Sequence, residues 1–74
     1  MKSIEDVQVA MNKNAYLTDE IKANIMSLVS IFHNRFPNVD LDNLCKNLTT
    51  LKIDKATKFI TLEPISYNGM LNVL

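Results

Sequence analysis

The stretch LKIDKATKFITLEPI, residues 51–65, is where the spacing of apolar residues changes, and its reading sets the fold class. Leu51 and Ile53 alternate with polar positions, the period-two signature of a half-buried strand. Phe59 to Ile65 is rich in β-forming residues, with Ile60 and Leu62 on one side and Thr61 and Glu63 opposite. Asp54 to Thr57 is expected to reverse the chain between these two strands. Pro64 has no donor for a ladder hydrogen bond, which confines it to an edge, a bulge or a break between shorter strands. Downstream, Asn68-Gly69 is the strongest tight-turn signal in the chain, because both residues tolerate positive φ. Met70 to Leu74 then returns as a third strand.

Upstream the period is helical. Ser3 followed by Asp6 resembles a capping box, and Ile4, Val7 and Met11 recur at helical spacing, giving a first helix over residues 3–13. Asn12-Lys13-Asn14 closes it through the turn preference of asparagine. Thr18 caps the second helix, and Asp19 and Glu20 put negative charge beside its first exposed amides. Pro37 stops that helix at or near Phe36. Asp40 is expected to cap a short third helix bearing Leu41, Leu44, Cys45 and Leu48. The expected architecture is therefore α+β: two N-terminal helices, a short third helix, then a two- or three-stranded antiparallel sheet.

The second helix also suggests a function. At about 100° per residue, Leu28, Ile21, Phe32 and Ile25 form a central stripe, Phe36 and Val29 widen one side, Met26 lies beyond them, and Ile31 lies on the other flank. That arc is wider than one core-facing stripe requires. A single small domain of 74 residues, or a fragment completed by association, has little surface with which to cover it, and small domains often gain stability by associating. The expected function is a non-enzymatic protein–protein interaction or assembly module, a regulatory subunit or homodimer completed by another protein or a second copy. The interface residues are Ile25, Met26, Val29, Ile31 and Phe36.

Composition narrows the alternatives. Eight basic and eight acidic side chains leave no net charge, so the chain as a whole gives no electrostatic case for nucleic acid or anionic lipid. Locally, Lys46, Lys52, Lys55 and Lys58 face only Asp54. Three helices followed by strands also have the broad order of a winged helix. The alternative function is thus a small winged-helix-like nucleic-acid-binding regulator using residues 40–58, with Asn43, Lys46, Asn47, Lys52, Lys55 and Lys58 as contacts. Asp40 and Asp42 at the start of the third helix disfavour it.

Reactive chemistry finds little support. Cys45 is the only cysteine and His33 the only histidine, too few for a zinc site, so no metal or cofactor is expected. Cys45 reads as a small buried hydrophobe and His33 as a border residue near a helix C-terminus. With one glycine there is no phosphate-cradling loop. The aromatic residues are spaced for packing rather than stacking, although Tyr67 beside the Asn68-Gly69 turn could serve recognition. Neither a signal segment nor a membrane span is evident, and a cytoplasmic protein is the default expectation.

Overall fold

A computed structural model describes residues 2–61, and the regular elements among them are all helices. Helix α1 runs from Ile4 to Lys13, α2 from Asp19 to Arg35, α3 from Asp42 to Leu48 and α4 from Ile53 to Ile60. Together they form a four-helix bundle in which α1 packs on α2 and α3, and α2 packs on α4.

Local chemistry sets the first two helices. Ser3 and Asp6 form a reciprocal capping box: the Asp6 amide donates to Ser3 Oγ at 3.4 Å, and the Ser3 amide donates to Asp6 Oδ2 at 2.8 Å. Each bond satisfies a donor that the helix itself cannot. Thr18 does the same for α2, its Oγ1 accepting from the Ile21 amide at 3.3 Å. Phe36 is the C-cap of α2, directly before Pro37, as proline's missing donor requires.

The α+β expectation is corrected. Residues 53–60, read as the end of one strand, a reversal and the start of another, are one helix, and no strand occurs among the described residues. The physical reason is burial. Ala56 and Phe59, three apart, point together into the core, with Ile60 packed beside them. Asp54 in the first turn and Lys58 in the last complement the helix dipole. Thr57 and Ile53 favour strands locally, but tertiary packing overrides weak intrinsic preference. The wing of the winged-helix alternative is lost from this stretch with the strand. The Asn68-Gly69 turn, the third strand and Tyr67 lie outside the described residues.

Helix α3 is also shorter at its start than expected. Its N-cap is Leu41, with no side-chain cap; Asp40 instead accepts from the Asp42 amide at 3.2 Å, shaping the turn before the helix.

The core draws on every element. Val7 and Met11 of α1, Ile25, Val29 and Phe32 of α2, Leu44 and Leu48 of α3, and Ala56 and Phe59 of α4 are buried together, with Leu17, Leu41 and Leu51 from the connections. One polar side chain joins them. Asn14 is only 2% exposed and fully bonded: its Nδ2 donates to the carbonyls of Leu48 at 2.7 Å and Leu51 at 2.9 Å. Its Oδ1 accepts from the amides of Tyr16 at 2.8 Å and Leu17 at 3.1 Å. A buried carboxamide with all these bonds satisfied avoids the penalty of an orphaned group. It staples the α1–α2 connection to the α3–α4 connection.

Candidate interaction surfaces

The five residues expected at an interface separate into two groups. Ile25 and Val29 are 0% exposed, enclosed by the chain's own core. Met26 is partly buried against that core, as are Ile21 and Leu28. Much of the wide apolar arc of α2 is therefore covered from within, chiefly because α1 lies on one side and α4 supplies a helix where strands were expected. Ile31 and Phe36 are the two that remain outside, 46% and 47% exposed.

Phe36 is held in place although it faces solvent. Its ring centroid lies 5.2 Å from that of Phe32, at an interplanar angle of 39°. Tilted, closely spaced rings are a favourable aromatic arrangement. Phe32 is itself fully buried, so the outer ring is anchored to the core. The backbone there is fixed twice: the Phe36 amide donates to the Phe32 carbonyl at 2.9 Å, and the Val39 amide donates to the Phe36 carbonyl at 3.2 Å.

The six residues considered for nucleic acid are all exposed. They do not form one site. Asn47, Lys52 and Lys55 line a groove of about 270 Å³ with Thr50, Leu51 and Asp54, where α3 passes into α4. Lys46 belongs to a different groove, between α1 and α3, beside Lys2 and Lys13. Asn43 and Lys58 line neither of these two grooves.

Sequence reasoning missed one long-range pair. Lys52 Nζ lies 5.8 Å from the centroid of the Tyr16 ring, within the range of a cation–π contact. Tyr16 was expected to pack, yet it is 58% exposed. The link between these residues is the Asn14 staple, and no local pattern signals it.

His33 lies in the last turn of α2 and Cys45 on the buried side of α3. Cys45 is buried, and burial is the main cause pushing its thiol above the ordinary range; Asp6, Asp42 and Asp40 add to the rise, while Lys2 opposes it. A protonated thiol is a poor nucleophile. His33 Nδ1 is buried without a hydrogen-bond partner among the described residues. Within the same residues, no three His, Cys, Asp or Glu side chains group as metal ligands would. No described helix is long and apolar enough to cross a membrane. Comparison with known protein families, with curated proteins and with solved structures gives no match for this chain.

Proposed function

We propose that the chain is a non-enzymatic assembly module of the cytoplasm that associates with a second copy of itself, using Phe36 as anchor, with Ile31 on the other flank of α2 as the alternative contact. The observation that carries this reading is the state of Phe36. A large aromatic ring is about half exposed, yet it rests on a buried ring and a bonded backbone. Binding anchors are often aromatic, and their contribution is largest when little side-chain freedom is lost on docking. The small size of the described four-helix bundle supports the same reading, since small domains have a thin margin of stability that a partner extends.

Ile25 and Val29 now belong to the foundation of the interface rather than its surface. They hold α2 in position, and Met26 sits at the boundary between core and surface.

Size-exclusion chromatography of surface variants tests the proposal. Phe36→Asp should weaken self-association by about 30-fold or more, the loss typical of an interface anchor, and elute as a monomer. Far-UV circular dichroism should remain that of the parent, because the substituted ring faces solvent. A parent and a variant that elute together at every loading would refute the role given to Phe36.

A further inference from the structure

Two connections far apart in sequence meet at one corner of the bundle. Asn14 bonds the backbone of both, to Leu48 and Leu51 on one side and Tyr16 and Leu17 on the other. Lys52 then lies over the Tyr16 ring, and the groove beside it holds Asn47, Thr50 and Lys55. The corner thus presents an exposed aromatic face, two ammonium groups and two neutral polar side chains on fixed backbone.

From this juxtaposition we propose that the corner binds single-stranded nucleic acid, with a base stacked on Tyr16 and the adjoining phosphates on Lys52 and Lys55. Every nucleobase has a π face, so an exposed ring on a rigid scaffold receives it with little regard to sequence. Tyr16 remains 58% exposed even with Lys52 over the ring, which leaves room for a planar group. Local charge favours a phosphodiester. Lys52 and Lys55 against Asp54 leave the groove with an excess of one positive charge (two minus one), although the whole chain is neutral. Asn47 and Thr50 add hydrogen-bonding groups that phosphate or base edges can use.

A single strand fits better than the alternatives. In a duplex the base faces are stacked on one another, and Tyr16 would have nothing to engage. An acidic peptide would meet the lysines but leave the ring without a role. Asp54 lines the same groove and opposes any anion, which gives the proposal an internal control.

Fluorescence anisotropy tests it directly, with the full chain titrated into a labelled oligothymidylate of about 12 nucleotides, a length within the usual single-strand site range. Binding should saturate at about 20 mM salt and weaken strongly at about 200 mM, the response expected when lysines displace counterions. Lys52→Ala and Lys55→Ala should each reduce the salt slope by about 0.7, the single-strand value per phosphate contact. Tyr16→Ala should weaken binding about 5- to 100-fold, whereas Tyr16→Phe should preserve it. Asp54→Asn should tighten it. All these side chains are exposed, and circular dichroism would check that each variant keeps its fold. No saturable binding at low salt overturns the proposal, as does a Tyr16→Ala variant that binds like the parent. Equal competition by a duplex of the same length or by an oligoglutamate peptide would also overturn it, the second result pointing to a protein partner.

Discussion

Truncating Asn14 at its β-carbon would remove the partner of four backbone groups at once, two carbonyls and two amides. Water can reach some of them at the Tyr16 edge, so Asn14→Ala should lower the unfolding free energy by about 2–4 kcal/mol, less than the sum of four fully buried orphans. Asn14→Asp should cost at least as much, because a second oxygen would face the Leu48 and Leu51 carbonyls. Urea denaturation of the two variants checks both. The composition of the turn made Asn14 legible as a helix terminator, but its partners lie 34 and 37 residues away, beyond the reach of any local rule. Cys45 was legible, since its place among Leu44 and Leu48 marks a buried side. Its raised thiol also carries a sign. The unfolded chain ionises first as pH rises, so this residue's contribution is intact below the ordinary cysteine range and is lost above it. Thermal melts from pH 7 to pH 10, roughly spanning the reference thiol pKa, should show a steeper alkaline loss for the parent than for Cys45→Ala. Slow alkylation near neutrality should accompany it; rapid labelling of the folded chain would contradict the buried, protonated thiol.

At the scale of elements, three of the four described helices could be read in advance, most exactly the two with side-chain caps. Ser3, Thr18 and Pro37 mark their boundaries through bonds made or forbidden within a few residues. Helix α3 lacks a side-chain cap, and its start fell two residues after Asp40. Helix α4 was missed because Leu51 and Ile53 alternate locally, while the spacing that matters is Ala56 to Phe59 to Ile60. Its N-cap is Lys52, which gives no capping signal. Two substitutions separate helix from strand here. Phe59→Ala should cost about 3–5 kcal/mol, as for a large aromatic removed from a core. Thr57→Ala, on the exposed side, should leave stability unchanged or raise it by up to about 0.5 kcal/mol, because alanine is the better helix former. In a strand the same change would be destabilising. Denaturant midpoints of both variants distinguish the cases.

For the molecule as a whole, the site was legible in part. The sequence identified Phe36 and Ile31 as surplus apolar residues of α2, but it grouped them with Ile25 and Val29, which the bundle encloses. Helical periodicity gives the direction of a side chain and not the neighbour that covers it. The difference is measurable. Val29→Asp places a charge in the core without a partner and should unfold the chain, whereas Ile31→Asp should leave its circular dichroism intact. Association remains the claim on which the proposed function rests. Sedimentation equilibrium of the unmodified chain across a dilution series tests it most directly. A mass that rises with concentration from 8.4 kDa toward twice that value is expected; a mass fixed at 8.4 kDa at every concentration would contradict self-assembly.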